Sequence, residues 1–141
     1  ILIFFIFFQI ILGAFVSGLD AGRLYQTWPL MGLTYFPDDI TVKHINMLFD
    51  FNNHSLVQFY HRNLAYFITF YILVLTFYIF LKKKHYLYRP IKFVIILLLT
   101  QIVLGILTLI SELNIYLASA HQISSVLLVF STLNLYFFHT K

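Results

Sequence analysis

The chain has 141 residues, of which 61% are hydrophobic and only 10% charged, and its mean hydropathy is +0.89. A soluble domain of this size has too little interior to hide that much apolar surface, so the composition points to the membrane. With no cysteine, disulfides, thiolate ligands and thiol chemistry are excluded.

The first apolar segment, residues 1–17, begins on Ile without a Met and reads as a clipped span. A signal peptide is the alternative, but there is no basic leading region, and Gly18-Leu19-Asp20-Ala21-Gly22 is a poor cleavage site. Asp20, close to two glycines, reads as a turn residue. A long connection over about 18–54 follows, carrying Gly18, Gly22, Pro29, Gly32 and Pro37. Connections of that length are usually functional or disordered. The aromatics Tyr25, Trp28, Tyr35 and Phe36 favour a folded cap or an interfacial segment.

Ser55-Leu56-Val57-Gln58 has the pattern of a capping box and opens a second span, 56–81. Between Arg62 and Lys82 there are 19 uncharged residues, and between Lys92 and Glu112 another 19, the core of a third span, 91–110. Each run approaches the roughly 20 residues a helix needs to cross about 30 Å of hydrocarbon. After a short turn from Glu112, residues 117–138 form the fourth. The expected fold is therefore an all-α transmembrane four-helix bundle, one domain over 1–141, with membrane lipid around it.

Charge sets the orientation. Lys82, Lys83, Lys84, His85, Arg89 and Lys92 crowd the short connection between the second and third spans, and Lys141 falls on the same side if spans alternate. By the positive-inside rule that side is cytoplasmic, or matrix. The five acids, Asp20, Asp38, Asp39, Asp50 and Glu112, then lie on the opposite side with Arg23, Lys43 and Arg62. The pI near 9.4 thus expresses topology, and nucleic acid is not an expected partner.

An internal repeat crosses this pattern. Gln9-Ile10-Ile11-Leu12-Gly13 in the first span recurs as Gln101-Ile102-Val103-Leu104-Gly105 in the third. Each is followed by a loop and a returning helix with a histidine near its start, His61 or His121. Two helical hairpins of one design are implied, related by an axis along the membrane normal. An ionisable ring inside a span is costly without a partner, so two at matched depth suggest one shared ligand, a heme iron held between two imidazoles. Ala65 and Ile68 lie one turn beyond His61, and Ser124, Ser125 and Leu128 beyond His121; the small ones leave room for a flat macrocycle. The small-residue pairs Gly13/Ser17 and Ala14/Gly18 permit close helix approach. Arg62, with Arg23 second, could pair with heme propionates at the aqueous edge.

Blander readings stand beside these. Either histidine could be an interfacial residue or an interhelical hydrogen-bonder, and Arg62 could simply snorkel. His44, His54, His85 and His139 read as solvated, with a metal site at His44 and His54 the lesser alternative. Nothing forms a hydrolytic triad or a phosphate loop. Two rival functions share the spans: a stand-alone b-type cytochrome that only passes electrons, and a heme-free membrane scaffold.

The residues from Gly13 to Gly22, Tyr25, Pro29, Met31-Gly32, Val57 to Arg62, Thr100-Gln101, Leu104-Gly105, Thr108-Leu109 and Leu117 to Gln122 occur in an order that resembles the second half of the heme A synthase family, of the proteobacterial and mitochondrial type. The resemblance covers most of the chain. It implies half of an eight-span inner-membrane protein that oxidises the C8 methyl of heme O to the formyl group of heme A for terminal oxidases. It further implies a b-type heme between His61 and His121 serving electron transfer, on the periplasmic or intermembrane-space side. The substrate heme O and an essential glutamate belong to the missing N-terminal half, so this half alone is expected to be inactive. Heme O synthase, oxidase assembly factors and a second copy of the chain are the candidate partners.

Overall fold

In the computed structural model, residues 1–41 and 44–140 are described. Lys43 and Lys141, assigned above to opposite sides of the membrane, lie outside them. Four helices carry the fold: α1 (Leu2–Gly18), α2 (His54–Leu81), α3 (Tyr88–Ile110) and α4 (Ile115–Thr140), with short 3-10 turns at Ala21–Arg23, Ile45–Phe49 and His85–Leu87. No sheet forms among the described residues; the one isolated bridge joins Met31 and Thr34 in a loop.

Three helical segments, His54–Leu81, His85–Ile110 and Ile115–Thr140, are long and apolar enough to cross a membrane. Leu2–Gly18 is equally apolar but has 17 residues, about 26 Å at 1.5 Å per residue, the lower limit for a span. The side chains are distributed as a bilayer requires. Phe4, Phe70, Phe77, Phe93, Val103 and Phe130 are exposed, while Ile6, Ile68, Ile72, Val94, Leu98 and Leu128 pack together inside. The hydroxyls of Thr69, Thr76, Thr100, Thr108 and Thr132 each donate to the carbonyl four residues back, so hydrocarbon surrounds no unpaired hydroxyl at these positions.

Packing follows the chain order in a ring. α1 lies against α2 and α4, and α3 lies against α4 and α2, while α2 and α4 stand opposite with no close packing between them. The most extensive pairings are α3 with α4 and α1 with α2, each a helical hairpin.

The helix ends have local causes. α2 begins at His54, two residues before the expected start, because the Asn53 side chain accepts from Leu56 N at 3.0 Å and caps it. Ser55 and Gln58, read above as a capping box, serve the long loop instead: Ser55 Oγ donates to Asp39 Oδ2 (2.6 Å) and Gln58 Nε2 to the Tyr25 carbonyl (2.9 Å). Pro90 sits in the first turn of α3, where a missing N–H leaves no helical bond unmade. The α3–α4 turn is tight because Glu112 and Leu113 both adopt left-handed backbone, and Asn114 Oδ1 accepts from Tyr116 N at 3.0 Å to start α4.

Candidate functional site

Both candidate ligands sit near the starts of opposed helices, His61 on α2 and His121 on α4, each half-buried. Each is held by the residues of the repeated pentapeptide. Gln9 Nε2 donates to the His61 carbonyl at 3.0 Å, and Gln101 Nε2 donates to the His121 carbonyl at 2.9 Å. Four residues on, one helical turn, stands the glycine of each repeat. A Cβ added at Gly13 would lie 3.1 Å from His61 Cε1, and one at Gly105 would lie 3.1 Å from His121 Cε1. In each hairpin, then, the imidazole lies against bare backbone that only glycine leaves open. The sequence displayed the repeat but not this reason for it.

The two halves differ in one respect. Gln9 Nε2 also lies 3.2 Å from His61 Nδ1 and 3.3 Å from Nε2. Gln101 Nε2 turns instead to Ser124 Oγ, whose hydroxyl in turn donates to the Ala120 carbonyl at 2.8 Å. His121 Nδ1 is left buried without a partner, as is Gln9 Oε1. Leu64 occupies the position in α2 that Ser124 occupies in α4. Of the small pairs noted in α1, Gly13 makes the close contact, whereas a Cβ at Gly18 would meet nothing within 4 Å.

Arg62 spans from α2 to the long loop. Its Nη1 donates to the carbonyls of Thr27 (2.9 Å) and Leu30 (3.2 Å), and Nη2 to that of Tyr25 (2.9 Å). Arg23 is exposed and pairs with Asp20 at 3.7 Å. Asp20 adopts left-handed backbone in the turn after α1. The loop is a folded cap around Tyr25, which is 9% exposed and whose single hydroxyl proton is shared between Asp38 Oδ1 (2.6 Å) and Asp39 Oδ1 (2.7 Å). Burial, then these two carboxylates, raise the Tyr25 phenol above its ordinary value. Burial opposes ionisation of Asp39, but hydrogen bonds from Ser55, Tyr25 and the backbone outweigh it and hold its pKa low. Gly22 closes the cap over the other hairpin, against the Leu113 side chain.

Among the described residues no group of three or more His, Asp or Glu side chains could hold a metal ion, so His44 and His54 build no such centre. The helices contain no Asp or Glu; the acids lie in the loops. What remains is an all-α, multi-span helical bundle with one imidazole on α2 and one on α4, each packed against a glycine of the preceding helix. The chain belongs to the cytochrome oxidase assembly protein family, whose sequence profile matches residues 1–133. It is 45% identical to a heme A synthase of Pelagibacter ubique over 123 residues, 87% of this chain and 36% of that protein. It is 38% identical to one of Wolbachia pipientis wMel, covering 94% of the chain and 36% of the relative. A Bartonella quintana heme A synthase is 36% identical, with 94% and 38% covered. The chain therefore spans just over a third of the length of these relatives. No solved structure matches it.

Proposed function

We propose that this chain is the C-terminal, heme b-binding half of a heme A synthase, serving electron transfer while the C8 methyl of heme O is oxidised to the formyl group of heme A. His61 and His121 are the axial ligands in this reading. The observation that carries it is the duplicated setting of the two histidines, each with its glutamine and glycine, on helices that face each other across the bundle. A heme brings four equatorial nitrogens of its own and asks the protein for only two, so a three-ligand cluster is not needed.

The residues fit such a group. Among the described residues His121 Nδ1 has no hydrogen-bond partner, and Gly13 and Gly105 present no Cβ to either ring, while the Gln9 amide lies beside the His61 ring nitrogens. A heme held by His61 and His121 would supply one-electron transfer. Arg62, next in the chain to His61, is the first candidate to hold a propionate, with Arg23 second. The lack of an acid inside the helices supports assigning the oxidation itself to an N-terminal half that holds heme O. The names of the relatives support the overall activity. The basic turn from Lys82 to Lys92 supports a cytoplasmic or matrix location for that end, with the histidines toward the periplasm or intermembrane space of an inner membrane.

The test is the heme extracted from cells that make this chain and are supplied with heme O but have no other synthase. Heme b without heme A is the expected result, and heme A would show that the oxidation site lies within these helices. Restoration of heme A by an upstream half supplied in trans would separate the synthase from a stand-alone b-type cytochrome.

A further inference from the structure

The geometry points to Gln9 and Gly13, and Gln101 and Gly105, as two positioning pairs that fix the plane of each iron-bound imidazole, with Ser124 making the two settings unequal. The inference rests on the heme reading above and adds what sets the geometry of the bond.

A histidine ring on a helix can turn about two side-chain torsions. Here the neighbouring helix holds the backbone beneath the ring and also receives the ring edge. The glutamine amide ties down the histidine's own carbonyl, at 3.0 Å for Gln9 and 2.9 Å for Gln101. A helix carbonyl drawn into such a bond fixes how far the α2 or α4 backbone stands from its partner helix. The glycine one turn later then receives the ring edge, with Cε1 only 3.1 Å from where a Cβ would be. The same two contacts occur in both hairpins, although the residues joined are separated by 52 positions in one and 20 in the other. Lipid-facing packing gives no reason for that coincidence, whereas an imidazole that must present one nitrogen at a set angle does.

The inequality comes from a single side chain. In the first hairpin the Gln9 amide reaches both the carbonyl and the ring nitrogens of His61. In the second, Ser124 Oγ takes up the Gln101 amide, and the His121 ring keeps a buried Nδ1 with no partner. Outer partners of a ligating imidazole set its orientation and basicity. The two axial ligands of one iron are therefore differently supported.

The test is electron paramagnetic resonance of the oxidised full chain purified with its heme, because the spread of g-values in a low-spin ferric heme reports the orientation of its axial ring planes. Gly13→Ala and Gly105→Ala should each retain heme but move the largest g-value, since the ring must yield by a few tenths of an ångström to the new Cβ. Ser124→Ala, which removes one of the two acceptors of the Gln101 amide, should move it as well. Ile11→Ala and Val103→Ala, on the exposed faces of the same helices, should leave the spectrum unchanged. If an alanine variant loses its heme, the milder Gln9→Asn and Gln101→Asn keep the amide but shorten its reach, and a displaced g-value there supports the assignment. Unshifted g-values in every heme-bearing glycine, glutamine and serine variant would overturn it. Failure of the heme reading itself would look different: the unmutated chain would carry no low-spin heme at all.

Discussion

Gln9 on the first helix donates a 3.0 Å hydrogen bond to the carbonyl of His61 on the second, and Gln101 repeats the contact with His121. The bond joins the histidine of each returning helix to the helix before it, at corresponding positions of the repeated pentapeptide. It also fixes what must not be disturbed, because the imidazoles lie against glycines with no spare space.

The cap over this end of the bundle should be pH-sensitive at both extremes. Asp39 has a lowered folded pKa, so its contribution is complete above its ordinary 3.8 and is lost as pH falls through the lower folded value. Tyr25 has a raised pKa, so its contribution is complete below its ordinary 10.0 and declines as pH rises beyond it. Protection of the 19–41 segment against hydrogen exchange in detergent, taken relative to the intrinsic rate at each pH, should therefore be greatest between these limits and fall outside them. In Tyr25→Phe, which removes the bond to both carboxylates, the alkaline loss of protection should disappear.

Two glycines should respond oppositely to alanine. Gly32 has φ +74°, and its added Cβ would stand 2.9 Å from Asp38 Oδ2, so Gly32→Ala should cost about 1–2 kcal/mol from left-handed backbone alone. Exchange in the loop would rise on the order of tenfold. Gly18→Ala meets nothing within 4 Å and should stay within about 0.5 kcal/mol of the parent. Equal effects at the two sites would contradict the loop geometry.

Arg62→Ala should free the loop carbonyls of Tyr25, Thr27 and Leu30 and weaken the cap by about 1.5–3 kcal/mol, the range for bonds to a charged donor. Limited proteolysis between residues 19 and 41 is the direct readout. Cleavage at the parent rate would mean that Arg62 serves the site and not the loop.

Cysteines placed at Asp38 and Lys83 should react with an impermeant label from opposite faces of the membrane. Labelling of both from one face would remove α2, the helix between them, from the set of spans.

The helices, with His61 and His121 near the starts of the second and fourth, were legible because period, length and charge are local properties of the sequence. Lys82 to Lys92 and the two uncharged runs of 19 residues needed no tertiary knowledge. The repeated Gln and Gly were visible too, but their role depends on which residue faces them across a hairpin. The cap was the least legible part. Ser55 and Gln58 have a capping-box pattern, yet Asn53 caps the helix and the other two bind the loop. Competing local and long-range partners of equal chemistry cannot be ranked from spacing alone.

The central claim is that one heme iron is held between His61 and His121, and the low-temperature spectrum of the oxidised protein tests it most directly. The parent should give a low-spin, six-coordinate ferric signal. His61→Ala and His121→Ala should each abolish it or convert it to a five-coordinate, high-spin form, while His85→Ala, in the basic turn, should leave it intact. An unchanged low-spin signal in both axial variants would contradict the assignment.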